Sequence, residues 1–105
     1  MGLFLYEDMA ATIEDRALAH LQVVMMAKLR RGEGFQFSWR GDGSAGSAPL
    51  TTVWVHPGAK VGFEYESAQP PELSRQWIDR LSEAAYSAAG LHLLPEEKPV
   101  LAASA

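Results

Sequence analysis

The sequence predicts an α+β domain in which two helices pack on one face of a mostly antiparallel sheet, in the order β-β-α-β-β-β-α-β. Residues 15–31 form one uninterrupted helix-forming run, residues 74–90 contain a second amphipathic segment, and short segments of alternating apolar and polar residues flank both. A chain of 105 residues has room for one core. We expect a single domain over residues 1–96 and a disordered tail over residues 97–105.

A hairpin is predicted at the start of the chain. Residues 3–6 and 11–13 are two short strand-like segments, and Glu7 and Asp8 lie in the turn between them. The hairpin leads directly into the first predicted helix.

The first helix, residues 15–31, is predicted to be the centre of the core. Its apolar residues recur at spacings of three and four, which places them on one face of a helix. We expect Glu14 or Asp15 to cap its first turn and Gly32 and Gly34 to end it. The residues predicted to face inward are Ala17, Leu18, Leu21, Val24, Met25 and Leu29.

Three strands are predicted to follow, at residues 35–40, 51–56 and 61–66. Each alternates apolar and polar residues, and consecutive strands with short connections favour an antiparallel meander. Residues 41–49, rich in glycine and serine, are predicted to be a mobile loop.

The second helix is predicted to begin after Ser74, a good N-cap residue, and to end at Gly90. Pro70 and Pro71 stop any strand before it. A last strand is expected at residues 91–94.

The composition excludes several classes of protein. A net charge of −4 and a pI near 5.2 argue against a general affinity for nucleic acid or for an anionic membrane. The chain has no cysteine, which removes disulfides, thiolate metal sites and thiol catalysis. It also contains no stretch that resembles a signal peptide or a membrane span, so we expect a cytoplasmic protein.

Four segments carry a resemblance to a known family: LAHLQVVMMAKLRRGEGFQFSW (residues 18–39), TTVWVHP (51–57), QPPELSRQW (69–77) and AAGLHLLPE (88–96). They resemble a family of small bacterial proteins of unknown function, about the length of this chain. Some of its members carry the automatic label ATP-dependent DNA ligase. The chain departs from the family in the first turn, where Glu7 follows Tyr6 in place of a glycine.

The residues do not support the ligase label. A ligase resembling the known ones needs a nucleophilic lysine in a Lys-x-Asp-Gly setting to form the covalent adenylate. Lys28, Lys60 and Lys98 all lack the aspartate and the glycine. The chain is also too short for an adenylation domain.

A polar sheet face that carries one large aromatic residue is the first candidate site. If the apolar sides of the three central strands face the helices, Trp54 lies on the opposite side among polar neighbours. It is covered by another part of the chain, covered by a second copy of the chain, or used to bind a ligand. The residues of this face are Gln36, Ser38, Arg40, Thr52, Trp54, His56, Glu64 and Glu66.

Two smaller groups of residues are also candidates. His56 with Glu64 and Glu66 could hold a metal or share a proton, although cross-strand polar pairing explains the same residues. Lys28, Arg30 and Arg31 could contact phosphates, although positive charge at a helix C-terminus is already explained by the helix dipole. His20 and His92 are each expected to be structural.

The first hypothesis is a non-enzymatic binding or protein-interaction module that associates with itself through this sheet face or an edge strand, with no cofactor, metal or catalytic residue. The alternative is a nucleic-acid-associated accessory protein that uses Lys28, Arg30, Arg31 and Arg40. A small enzyme or metal site around His56 comes third. The first hypothesis predicts that Trp54→Ala changes the oligomeric state.

Overall fold

The structure is a computed structural model that describes residues 1–41 and 49–96. In these ranges the chain forms two helices and six strands, which confirms the predicted α+β class and element order. Residues 42–48 of the loop predicted at 41–49, and the predicted tail at 97–105, lie outside the described residues. The elements are β1 (Gly2–Tyr6), β2 (Met9–Ile13), α1 (Asp15–Arg30), β3 (Phe35–Arg40), β4 (Leu50–Val55), β5 (Val61–Glu64), α2 (Arg75–Tyr86) and β6 (Leu91–His92).

The strands form two three-stranded sheets, in the orders β2-β1-β5 and β4-β3-β6. The predicted meander of β3, β4 and β5 is therefore correct for the pairing of β3 with β4 and wrong for the pairing of β4 with β5, because β5 pairs with β1. Three of the four strand pairs are antiparallel, and β6 runs parallel to β3. The sheet prediction was right about the dominant pairing and wrong about a single continuous sheet.

Aromatic side chains join the two sheets across the core. The ring of Phe4 on β1 lies 5.2 Å from the ring of Phe37 and 6.1 Å from that of Trp39, both on β3, in edge-to-face geometry. Phe63 on β5 is 5.7 Å from the same Phe4 ring. Edge-to-face pairs add a favourable interaction to the burial of their surface. Pairing β5 with β1 thus places the partly buried Phe63 against the core.

The face of α1 that the sequence predicts to be buried is confirmed. Ala17, Leu18, Leu21, Val24 and Met25 are buried, and Leu29 packs against them from the edge of the core.

His20, which is not among the residues predicted to face inward, is fully buried. Its Nε2 accepts a hydrogen bond from the backbone N–H of Ser74 at 2.7 Å. Its Nδ1 therefore carries the proton and donates to the carbonyl of Arg16 at 2.7 Å. The ring also packs 4.4 Å from the indole of Trp77. His20 thus fastens the start of α2 to α1, and a polar residue within an apolar stripe was the sequence signal for this buried link.

The helix α1 ends at Arg30, close to Gly32, as the sequence predicts. Gly32 has φ +75°, and its N–H bonds to the carbonyl of Leu29 while the N–H of Glu33 bonds to the carbonyl of Lys28. These two bonds form a Schellman motif, which only a residue that tolerates the left-handed conformation closes without strain.

The first turn of the chain shows why Glu7 stands out. Glu7 has φ 55°, a left-handed conformation that glycine adopts most easily. Its N–H donates to the carbonyl of Lys60, and its carboxylate accepts from the N–H of Lys60, each at 2.8 Å. Two bonds to the turn before β5 therefore accompany the strained backbone.

The N-terminal end of α1 differs from the expectation. Glu14 is the N-cap residue but makes no side-chain capping bond, and the Asp15 carboxylate accepts from the backbone N–H groups of Ser67 at 2.9 Å and Glu66 at 3.3 Å. Asp15 thus ties the helix to the segment after β5. The hydrogen bond from Ser67, followed by that from Glu66, holds the pKa of Asp15 below its usual value of 3.8.

We expect Asp15→Asn to reduce the acid sensitivity of the fold. A depressed pKa contributes stability that is fully present above the unfolded value of 3.8 and is lost as pH falls through the folded value. The variant should be less stable than the wild type at pH 7, and the difference between their free energies of unfolding should disappear as the pH falls below 3.8. Urea unfolding across this range measures the effect, with Asp79→Asn on the exposed side of α2 as the control. A difference from the wild type that stays constant with pH would contradict the assignment.

The second helix begins as predicted and ends earlier. The Ser74 hydroxyl accepts from the N–H of Trp77, but the helix stops at Tyr86, four residues before Gly90. Gly90 has φ +80° and lies against β3, where an added Cβ would be 2.8 Å from the Gln36 Cβ and 2.9 Å from its carbonyl oxygen. Its role is close contact with the second sheet.

We predict that Gly90→Ala is more destabilising than Gly32→Ala. Both positions require a left-handed backbone, which costs a residue with a Cβ about 1–2 kcal/mol. Gly32 has open space around the new methyl group, whereas Gly90 would also clash with Gln36, adding about 1–3 kcal/mol. Urea denaturation of both variants measures the difference. If both variants lost the same free energy of unfolding, the turn at Gly90 would have moved away from β3 at little cost.

Candidate functional site

The outer face of the second sheet, made by β3, β4 and β6, faces away from the core. The register pairs Gln36 with Trp54, Ser38 with Thr52 and Arg40 with Leu50, and it sets His92 beside Ser38. Because side chains alternate along a strand, these residues lie opposite the buried Phe35, Phe37 and Val55. We call the surface of Gln36, Ser38, Arg40, Leu50, Thr52, Trp54 and His92 the outer face.

Glu64 and Glu66 do not lie on this face, contrary to the sequence prediction. Glu64 is on β5 and is paired in register with Leu3 of the first sheet, while the Glu66 carboxylate accepts from the amino group of Met1 at 2.5 Å. The Nδ1 atom of His56 accepts from the backbone N–H of Gly58 at 3.2 Å. The grouping of His56 with the two glutamates as cross-strand neighbours is therefore wrong, because β4 and β5 belong to different sheets. Over residues 1–41 and 49–96 no group of three histidine, aspartate or glutamate residues is arranged to hold a metal ion.

Trp54 remains 60% exposed. Its indole lies on the backbone of Gly34, where an added Cβ would be 2.8–2.9 Å from three ring atoms. The absence of a side chain at Gly34 thus leaves room for the ring. Within residues 1–41 and 49–96 no part of the chain covers Trp54, so these residues favour a second copy or a ligand among the three explanations offered by the sequence.

The polar groups of the outer face already bond to one another. The Ser38 hydroxyl is 2.8 Å from the Thr52 hydroxyl, and the Gln36 amide donates to the carbonyl of Ala89 at 3.1 Å. His92 Nδ1 lies 3.2 Å from the carbonyl of Gly90. These polar side chains have partners within the fold, and the large apolar groups that this face exposes to a partner are Leu50 and Trp54.

The exposed apolar residues of this region were partly missed by the sequence analysis. Leu50 is 57% exposed, and it lies four residues before Trp54 on the same side of β4. The predicted strand began at Thr51, so Leu50 was left out, although counting back from Trp54 in steps of two would have included it. Leu93, just after β6, is also exposed and helps to line a cleft of about 1080 Å³ that lies on the outer face. All the outer-face residues except Trp54 line this cleft, and Met1 and Glu14 lie at its other side.

The predicted phosphate contacts are divided by the fold. Lys28 is 6% exposed, and its Nζ lies 3.2 Å from the Glu33 carboxylate and 3.6 Å from the centre of the Tyr86 ring. Arg31 donates to the Tyr86 hydroxyl at 2.8 Å, and Arg30 is exposed. Lys28 is thus a structural cation that holds the end of α2 on α1, and the predicted trio does not form one basic surface.

The fold and this surface define a small α+β domain with a sheet face that carries exposed tryptophan and leucine. Neither helix in the described ranges has the length and apolar character needed to cross a bilayer. The sequence model of a family described as domain of unknown function DUF7882 matches residues 1–96. The chain belongs to this family. It matches no curated protein and no solved structure.

Proposed function

We propose that this domain is a non-enzymatic protein-interaction module that associates with itself through the outer face. The observation that carries the proposal is the 60% exposure of Trp54 on the same side of β4 as the exposed Leu50. Large aromatic side chains lose much unfavourable contact with water when a partner covers them, and they are enriched among the residues that dominate binding energy. A self-complementary patch of this kind is how most soluble proteins form symmetric dimers.

A protein partner fits the outer face better than a small polar ligand. Ligand sites depend on a few polar groups that converge on a cavity and fix the orientation of the ligand. Here Ser38, Thr52 and Gln36 have partners within the fold. A satisfied polar band flanked by apolar side chains is typical of a contact surface between proteins.

The other functions considered from the sequence have less support. The nucleic-acid contact predicted through Lys28, Arg30, Arg31 and Arg40 includes Lys28, which is only 6% exposed, and the chain carries a net charge of −4. Ligase chemistry would need a lysine with a neighbouring aspartate and glycine, and the sequence has none. The proposal therefore assigns no catalytic residue and no cofactor.

Trp54→Ala tests the proposal directly. We expect the wild type to have the mass of two chains in light scattering at high concentration and to dissociate on dilution. Removing the indole should raise the dimer dissociation constant by about 30-fold, which corresponds to ~2 kcal/mol for a dominant interface residue. The measurement is solution mass across a dilution series at low and at moderate salt.

Two leucines provide a matched control. Leu50 is 57% exposed on the outer face, and Leu73 is 53% exposed in the segment before α2. Leu50→Ala should weaken the dimer while Leu73→Ala leaves it unchanged. A wild type that is monomeric at every concentration would refute self-association.

A further inference from the structure

We propose that β4 pairs with β4 of a second copy in antiparallel orientation, with Thr52 opposite itself. The β4-β3-β6 sheets of the two copies would then become one continuous sheet of six strands. This inference rests on the proposed self-association and names the strand, the register and the symmetry of the contact.

The first support is the open edge of β4. Among the described residues β4 pairs only with β3, so no strand pairs with its other edge. Natural proteins protect such edges with charged residues, proline or a bulge. The strand LTTVWV contains no charged residue and no proline, and its register with β3 runs without interruption from Leu50 to Val55.

The second support is the direction of the backbone groups of β4. The hydroxyl of Tyr6, on the first sheet, donates to the carbonyl of Trp54, so this carbonyl points away from β3. The backbone N–H and C=O groups of an antiparallel strand alternate in direction from one residue to the next. The N–H and C=O groups of Thr52 and Leu50 therefore also point away from β3. The Trp54 carbonyl keeps a second lone pair for a strand that joins the edge.

The third support is the match between the two ends of β4. When Thr52 lies opposite itself, Leu50 of each copy lies opposite Trp54 of the other, on the same side of the joined sheet. Pairs of aromatic and aliphatic residues across two strands stabilise a sheet. The arrangement supplies about six backbone hydrogen bonds and two such pairs, and its two-fold symmetry closes the assembly at a dimer.

The other edge strand without charged residues is β2, but the charged residues on either side of it disfavour pairing of β2 with itself. Antiparallel pairing of β2 with itself about Ala11 would place Asp8 of one copy opposite Glu14 of the other, and like charges in that position repel. The residues next to β4 are Pro49 and His56, so no two carboxylates meet there. β5 carries Glu64, and β6 is only two residues long.

The chain has no cysteine, so a single introduced thiol reports its own neighbours. We expect Thr52→Cys to form a covalent dimer on mild oxidation, because Cα atoms about 5.5 Å apart in a hydrogen-bonded pair lie within disulfide range. Thr12→Cys, an exposed threonine on β2, is the matched control and should form a covalent dimer about tenfold more slowly. Leu50→Cys tests the register, since its two thiols would be about 13 Å apart and should not join.

The outcomes separate this inference from the proposed function. A wild-type dimer in which Thr52→Cys cross-links no faster than Thr12→Cys, or in which Leu50→Cys cross-links as fast as Thr52→Cys, would overturn the pairing and leave self-association standing. Thr52→Lys provides a test that needs no thiol, because two ammonium groups would meet at the symmetry axis. We expect a folded monomer by circular dichroism and light scattering, and a Thr52→Lys dimer as stable as the wild type would also overturn the pairing.

Discussion

The hydrogen bond between buried His20 and the backbone N–H of Ser74 links the two helices in the core. It fixes the first turn of α2 on the middle of α1, and the stacking of His20 on Trp77 strengthens the contact. Arg16, one turn earlier in α1, ion-pairs with Glu96 and thereby holds the segment after β6 on the same side. With both helices on the inner side, the outer face of the second sheet is left without a helix to cover it.

The division of the strands into two sheets has an equally direct consequence. Phe63 reaches the core only because β5 pairs with β1, and β4 then has a partner on one side alone. A continuous sheet would have covered the edge of β4 and given Trp54 further neighbours. The burial of Phe63 and the availability of β4 for a partner are therefore two results of one choice of strand pairing.

Local patterns in the sequence were enough to predict the elements, and long-range pairing was not. The apolar spacing in α1, the cap at Ser74 and the stop at Gly32 depend on residues close in sequence, and the structure agrees with each. The separation of Glu64 from Trp54 depends on whether β5 pairs with β1 or with β4. The alternation of apolar and polar residues in β5 suits either pairing, so the sequence pattern does not decide between them. The burial of His20 likewise depends on Ser74, which lies 54 residues away. Trp54 was singled out because a large aromatic among polar neighbours is unusual on any sheet, but the sequence left open whether another part of the chain covers it.

Hydrogen exchange along β4, measured at high and at low protein concentration, tests the central claim most directly. The account predicts that the amides of Leu50, Thr52 and Trp54 become more protected as the concentration rises, because they would bond to a second copy. The amides of Thr51 and Val53, which point toward β3, should exchange at the same rate at both concentrations. Equal exchange of Thr52 at both concentrations, in a sample whose mass doubles between them, would show that the dimer forms without this strand.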